Sequence, residues 1–137
     1  GTRGEREGQL NFPTAIAATP AGTLAVVDAL NWRIVTYAPD GAVLSAFGEP
    51  GTEGGAFGRP KAIAVDAAGR IFVSDAQFGV ILAFDAAGKF LLAFGGSARQ
   101  PFSLSLPAGL AIAGDRLFVA DAYHHRVEQF QLLEEAP

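Results

Sequence analysis

Short runs of Val, Ile, Leu and Phe alternate along the chain with turns rich in Gly, Asp and Ala. Such runs, bounded by turn residues, predict β-strands, and no helical period of useful length interrupts them. Several runs, such as "RIFVSD" (70–75) and "VILAFD" (80–85), are apolar at successive positions. A strand of this kind needs apolar cover on both faces of its sheet. The pattern therefore predicts an all-β protein built from stacked sheets.

The same order of strands and turns is repeated along the chain. A proline opens each unit at intervals of 47 residues: Pro13, Pro60 and Pro107. An aspartate ends the second strand of each unit at intervals of 47 and 46 residues: Asp28, Asp75 and Asp121. Each complete unit holds four strand-like runs, and four strands at a period of about 40–50 residues are typical of a β-propeller blade. We also predict that one set of phenylalanines is buried between blades: Phe72, Phe84, Phe94 and Phe118.

The units resemble the NHL repeat family. The segment "DALNWRI" (28–34) matches that family's Asp-x-x-Asn-x-Arg-Ile pattern, whereas "DAYHHRV" (121–127) has His124 in the Asn place. The segment "DAQFGVI" (75–81) departs further, with Phe78 for Asn and Val80 for Arg. The resemblance covers roughly residues 8–131 and implies blades of the kind found in six-bladed β-propellers.

The sequence predicts a propeller segment of four-stranded antiparallel blades, two complete and a third that lacks its outer strand. We place blade one at about 12–48, blade two at about 59–95 and blade three at about 106–131. The ending "QLLEEAP" (131–137) contains neither the Gly turn nor the Phe-Gly of the other units. Because three blades cannot close a ring, we expect another chain, a second copy or further sequence to cover the two outer faces. On that expectation the chain is not a stable free monomer.

Composition narrows the choice of partner. The net charge of −4 argues against the phosphate backbone of nucleic acids. The chain has no cysteine, which excludes a disulfide and a thiolate zinc site, and it has no uninterrupted apolar run long enough for a membrane-spanning helix. It begins at Gly1 and contains no methionine, which indicates either a processed, exported protein or an excerpt of a longer chain. The first alternative favours a periplasmic or secreted location, and composition leaves the compartment open.

The topology predicts which loops share one end of the blades. In an antiparallel blade, the turn between the second and third strands and the link to the next blade lie at the same end. Here these segments are long and varied, whereas the turns at the other end are short and Gly-bearing, so we call the first end the long-loop face. Binding groups usually lie on variable loops held by a rigid scaffold. We therefore predict the binding residues there: Asn31, Trp32, Gln77, Phe78, Arg99, Phe102, Tyr123, His124 and His125.

The recurring aspartates admit two interpretations. They could form a ring of carboxylates that holds Ca²⁺ or another divalent ion, or each could be a turn residue that accepts backbone N–H bonds. We favour the second, because such capping is common, and we expect two arginines to pair with two of these aspartates: Arg33 with Asp28, and Arg126 with Asp121. Calcium at these positions stays open. For Trp32 and Tyr123, ligand binding and packing against the adjacent blade both stay open.

The two histidines, His124 and His125, suggest a metal site, but neighbouring side chains on a strand point to opposite faces and a zinc ion requires three or four ligands. We therefore predict no metal site and no cofactor.

The leading hypothesis for function is a non-catalytic module that binds a protein or peptide through the long-loop face. The alternative is a propeller enzyme, a metal-dependent lyase or lactonase-like hydrolase, with its site in the central channel. Near the inner strands the only ionisable residues are Lys61, Asp66 and Asp115. Because these few groups are poorly suited to catalysis, we predict no catalytic residues.

Overall fold

The computed structural model describes residues 1–95 and 107–133. The strands within these residues form three large antiparallel sheets, one for each repeat unit, and one small parallel sheet of two strands. The small sheet pairs β1 (Thr2–Arg3) with β2 (Gln9–Leu10). The predicted all-β fold of four-stranded antiparallel blades is confirmed.

Each large sheet keeps its strands in chain order. Blade one contains β3 (Pro13–Ala18), β4 (Leu24–Asp28), β5 (Arg33–Tyr37) and β6 (Val43–Phe47), with a 3₁₀ turn at Ala29–Asn31. Blade two contains β7 (Pro60–Val65), β8 (Ile71–Asp75), β9 (Val80–Phe84) and β10 (Phe90–Gly95). In blade three the structure describes β11 (Pro107–Ala113), β12 (Arg116–Asp121) and β13 (Arg126–Gln131).

Blade two lies between the other two blades and is covered on both faces. Along β8, Ile71 and Val73 pack in the cluster shared with blade one, while Phe72 packs in the cluster shared with blade three. Adjacent residues of a strand point to opposite faces, which explains why this strand is apolar at successive positions. The strand ends with two buried polar residues, Ser74 and Asp75. The Ser74 hydroxyl accepts a hydrogen bond from the Ala62 N–H, 2.9 Å away, where the pairing of β7 and β8 is irregular.

The four phenylalanines predicted to be buried differ in how far they are covered. Phe72 and Phe84 are buried, and Phe94 is partly buried against Phe130 with ring centroids 4.9 Å apart. For Phe118 the prediction of burial between blades is wrong. Leu117 and Val119, its neighbours on β12, fill the interface with blade two, so Phe118 points to the outer face of blade three and is only partly buried.

A loop residue completes the core between blades one and two. Phe57, in the connection 48–59, is fully buried and packs against Phe84 with ring centroids 5.6 Å apart. Phe47 and Phe90 contact the same Phe84 ring at centroid distances of 5.0 and 5.9 Å. The connection therefore contributes to packing as well as joining the blades.

The short turns at the end opposite the long-loop face satisfy their own polar groups. The Asp66 carboxylate accepts hydrogen bonds from the Ala68 and Arg70 N–H groups and pairs with the Arg70 guanidinium at 2.6 Å. The Asp85 carboxylate accepts bonds from the Ala87 and Lys89 N–H groups in the same way. Asx-type turns of this kind leave few polar groups free for a ligand. No helix among the described residues has the length and apolar character needed to cross a membrane.

Candidate binding face

Among the described residues, three kinds of segment form the long-loop face. The tips of the three blades join the second and third strands, the connection 48–59 links blade one to blade two, and the segment 1–12 precedes blade one. Each tip begins with the recurring aspartate, and all three aspartates are fully buried. A buried carboxylate is costly unless its oxygens accept hydrogen bonds, so the donors around each one reveal how each tip is held.

At the tip of blade one, side chains supply most of the donors. Asp28 accepts hydrogen bonds from the Asn31 side-chain amide at 2.8 Å, from the Arg33 Nε at 2.8 Å and from the Asn11 backbone N–H at 2.6 Å. The Arg33 guanidinium also donates to the backbone carbonyls of Glu5 and Gln9, at 2.9 and 2.8 Å. The pair therefore fixes the segment 1–12 against the blade.

At the tip of blade two, backbone amides replace those side chains. Asp75 accepts hydrogen bonds from the N–H groups of Gly58 and Arg59, at 2.7 and 2.9 Å, and from the N–H of Gln77 at 3.0 Å. A longer bond of 3.4 Å comes from the Phe78 N–H. Among the described residues, the carboxylate thus holds the connection 48–59 through backbone amides and pairs with no cation.

At the tip of blade three, a histidine takes the place of the asparagine. The His124 Nδ1 lies 2.7 Å from Asp121 Oδ2, the same relation that Asn31 has to Asp28. Arg126 lies 3.6 Å from the same carboxylate and 2.7 Å from Glu128. His124 is therefore engaged within the tip, while His125 and Tyr123 are exposed.

The residue after the Asn place adopts a left-handed backbone conformation in all three tips. Trp32, Gly79 and His125 have φ angles of 51°, 65° and 54°. In blade one this conformation places the indole over the connection, where Nε1 donates to the Gly58 carbonyl at 3.1 Å while 38% of the residue stays exposed. Trp32 is therefore held by the fold while part of its surface stays exposed.

The two candidates at the tip of blade two differ in how far they are exposed. Phe78 is partly buried and lies so close to Gly58 that a side chain there would collide with its ring. Gln77 is exposed. Two further candidates, Arg99 and Phe102, lie outside the described residues.

Three aromatic side chains are exposed within residues 1–95 and 107–133, and all of them lie on the long-loop face. They are Trp32, Tyr123 and Phe12, and the last two are 68% exposed. Sequence reasoning missed Phe12, which has a φ of 61° and immediately precedes β3. Its only signal in the sequence is its position, because it occupies the same place before Pro13 that Arg59 occupies before Pro60.

The segment 1–12 repeats the conformation of the connection 48–59. In the first, Arg3 pairs with Leu10 in parallel and the Gly4 N–H donates to the Leu10 carbonyl at 3.1 Å. In the second, Pro50 pairs with Phe57 in parallel and the Gly51 N–H donates to the Phe57 carbonyl, also at 3.1 Å. The segment is therefore an interblade connection in form, with Leu10 in the place of Phe57.

A groove of about 610 Å³ runs between the tip of blade one and the start of β7. We call it the tip groove and define it by the side chains that form its walls: Phe12, Leu30, Trp32, Arg59, Lys61 and Gln77. Thr14 also borders it, and its hydroxyl donates to the Lys61 carbonyl at 2.7 Å, which ties the inner strands of blades one and two together. Among residues 1–95 and 107–133, no acidic side chain lines the groove.

Within the described part of the chain, no group of three or more His, Cys, Asp or Glu side chains is placed to hold a metal ion. The inner-strand ionisable residues named from the sequence do not converge either. Lys61 lies at the tip groove, whereas Asp66 and Asp115 lie in turns at the opposite end of the blades, where each pairs with an arginine.

Comparisons with known proteins agree with the blade architecture. Residues 104–130 match the NHL repeat family. No curated protein matches the chain by sequence. Among solved structures, the chain is similar to a catalytically inactive virginiamycin B lyase from Staphylococcus aureus bound to quinupristin, with a TM-score of 0.70 and 17% identity over 88% of this chain and 38% of that one.

Two further structures show the same likeness. A gluconolactonase from Xanthomonas campestris has a TM-score of 0.60 and 23% identity over 83% of this chain and 36% of that one. A Bacteroides thetaiotaomicron protein of unknown function has a TM-score of 0.73 and 15% identity over 95% of this chain and 38% of that one. The chain thus spans little more than a third of the length of these structures. The chain thus contains an NHL repeat at residues 104–130 and has the fold of a β-propeller segment, which is consistent with an NHL-type propeller.

Proposed function

We propose that this propeller segment is a non-catalytic interaction module that binds a protein or peptide through its long-loop face. The observation that carries the proposal is the distribution of exposed aromatic side chains. Those that the structure describes all lie at this face, on Trp32, Tyr123 and Phe12. Trp and Tyr are frequent anchors of protein interfaces.

The rigidity of the tips supports this proposal. The buried aspartates fix the tips to the segments beside them, and the Trp32 indole is held by its bond to the Gly58 carbonyl. An aromatic group that is already held in place loses little conformational entropy when a partner binds. Within the described part of the chain, the opposite face exposes no Phe, Tyr or Trp, and its short turns bond to themselves.

A display selection tests this proposal. A random peptide library is selected on the immobilised chain, and the dissociation constants of the enriched peptides are measured for the wild type and for single variants. We expect Trp32→Ala or Tyr123→Ala to weaken binding by about tenfold or more, as loss of an interface anchor does. Asp40→Ala, in a turn at the opposite face, is the matched control. Failure to select any peptide, or peptides whose affinity depends on the opposite face, would contradict the proposal.

The alternative, a propeller enzyme, draws its support from the names of two similar structures, a lyase and a gluconolactonase. At 17% and 23% identity these comparisons carry the fold alone. In residues 1–95 and 107–133, the inner strands bring Lys61 to the long-loop face without a partner acid or base beside it. Catalysis would need at least a paired acid, base or nucleophile at that place. The interaction module is therefore the function that the described residues support better.

We also propose that another blade covers the outer faces of blades one and three, supplied by further sequence, a second copy or another chain. Ile16 on blade one and Val127 on blade three are 61% and 66% exposed on those faces. Apolar blade faces are costly in water, and repeat proteins stack units to cover them. Light scattering on this chain at micromolar concentration tests the proposal. A monomer that unfolds cooperatively would contradict it.

A further inference from the structure

We propose that the tip groove binds an acidic peptide, with a bulky apolar side chain between Phe12 and Trp32 and a carboxylate between Arg59 and Lys61. This inference rests on the proposed function and adds to it a place on the face and a chemical class of ligand. The argument depends on how the groove is built and on the charges along it.

The apolar wall of the groove is exposed, and its tryptophan is held in place. Phe12, Leu30 and Trp32 are 68%, 50% and 38% exposed. The Trp32 indole is anchored by its hydrogen bond to the Gly58 carbonyl, and both Phe12 and Trp32 have backbones in the left-handed region, at φ 61° and 51°. Bulky residues rarely adopt that conformation. An anchored indole and an exposed phenyl ring on the same wall of a groove are suited to receive one apolar side chain.

The other wall carries two cations that the fold does not use. Arg59 and Lys61 are both exposed, and no carboxylate among the described residues lies within ion-pair distance of either. Most other arginines near the blades are paired: Arg33 with Asp28, Arg70 with Asp66, and Arg126 with Asp121. Two unpaired cations beside an apolar groove, in a chain of net charge −4, produce a local positive site on an acidic protein.

The charge balance favours an acidic peptide over a nucleic acid. Two cations match one or two carboxylates, and carboxylate recognition by an arginine fork is strong because it is bidentate. A long polyanion would instead meet the net negative charge of the rest of the chain. The groove volume of about 610 Å³ also fits a few side chains of a peptide.

Trp32 provides a direct readout, because it is the only tryptophan in the sequence. Its fluorescence is titrated with three synthetic peptides that share a Leu-Phe centre, lack tryptophan and differ only in flanking residues, which are Glu, Gln or Lys. A ten-nucleotide oligothymidylate is the fourth probe. We expect the Glu peptide to change the Trp32 emission saturably and to bind about tenfold more tightly than the Gln peptide, a difference of about 1.4 kcal/mol. Added salt should reduce this preference.

Charge variants test whether Arg59 and Lys61 cause the preference for the Glu peptide. In the double variant Arg59→Gln and Lys61→Gln, the preference for Glu over Gln peptide should fall to within about twofold, while the Gln peptide binds as before. Lys89→Gln is the matched control, since it removes an exposed cation from a turn at the opposite face. It should leave the preference unchanged.

The outcomes separate this inference from the proposed function. Equal binding of the three peptides, an equal loss with Lys89→Gln, or tighter binding of the oligonucleotide would overturn the acidic-peptide inference. Peptides enriched by display that bind through Tyr123 and leave the Trp32 emission unchanged would also overturn it, while the proposed function would stand. The absence of peptide binding in every arm would overturn both.

Discussion

The tips of blade one and blade two satisfy a buried aspartate with different hydrogen-bond donors. Both bury an aspartate completely, and both use it to hold the segment that leads into the blade. In blade one the donors are mainly the side chains of Asn31 and Arg33, whereas in blade two they are backbone N–H groups of the connection and of the tip. Both tips contain the same buried carboxylate, but different groups donate hydrogen bonds to it.

This difference shows what the Asn and Arg of the repeat motif do in this chain. A buried carboxylate must be satisfied, but the source of the hydrogen bonds can change. Blade two has Phe78 and Val80 at those positions, and its carboxylate is still fully bonded. The structure therefore places Asn31 and Arg33 within the tether of blade one, while the neighbouring Trp32 stays exposed.

The largest effect is expected in the connection that Asp75 holds. Phe57→Ala should lower the free energy of unfolding by about 3–5 kcal/mol, because it opens a cavity in the core between blades one and two. Leu10→Ala changes the equivalent position in the segment 1–12, where the side chain is only partly buried, and should cost less than half as much. Urea denaturation at a fixed protein concentration measures both. Equal losses would mean that the two segments are equally packed.

Removing the carboxylate of blade two tests whether backbone donors alone fix a tip. Asp75→Ala should cost about 3 kcal/mol, because four N–H groups lose their acceptor and an unsatisfied buried donor costs about 1–3 kcal/mol. Hydrogen exchange of the Gly58 and Arg59 amides should become faster at the same time. Unchanged protection of these two amides would show that other contacts hold the connection.

Arg33→Met tests whether the arginine side chain holds the segment 1–12 against blade one. It removes the pair with Asp28 and the bonds to the carbonyls of the segment 1–12, and should cost about 1.5–3 kcal/mol, as for hydrogen bonds to charged groups. The matched control is Arg116→Met, which removes an exposed guanidinium 3.9 Å from Asp115 and should cost less than about 1 kcal/mol. A similar cost for both variants would mean that the guanidinium contributes little.

The smallest effect is expected in blade three. His124→Asn places there the residue that blade one uses, and should change the free energy of unfolding by less than about 0.5 kcal/mol, whereas His124→Ala should cost about 1 kcal/mol through loss of one hydrogen bond. Thermal unfolding of the two variants measures the difference. A large loss with asparagine would show that His124 does more than satisfy Asp121.

Sequence periodicity was sufficient for the sheets. The runs on β8 and β9 are apolar at successive positions, which predicted cover on both faces, and the structure packs Ile71 and Phe72 against different blades. Periodicity could not predict that Phe118 is less buried than Phe72. The two residues occupy matching places in the repeat and differ only in whether a neighbouring blade covers them. Burial at a given strand position depends on the next blade, and that information is not local.

The end of the blades at which the loops gather was predictable from the sequence, and the contacts of the loop residues were less so. Topology placed the long loops, and with them Trp32 and Tyr123, at one end of the blades. Tertiary contacts decided that Asn31 bonds inward to Asp28 and the Gly4 carbonyl and that Phe12 is exposed beside Trp32.

The sequence by itself thus determined the strands, their repeat and the end at which the loops gather, because hydrophobic period and turn residues act locally. Only the tertiary structure decided that Phe57 enters the core, that four backbone N–H groups stand in for an arginine at Asp75, and that Arg59 and Lys61 meet an aromatic wall. The physical reason is that each of these outcomes depends on groups brought together from different segments of the chain. Loop conformation, and with it the direction of hydrogen-bond donors, is set by those distant contacts and not by the composition of the loop.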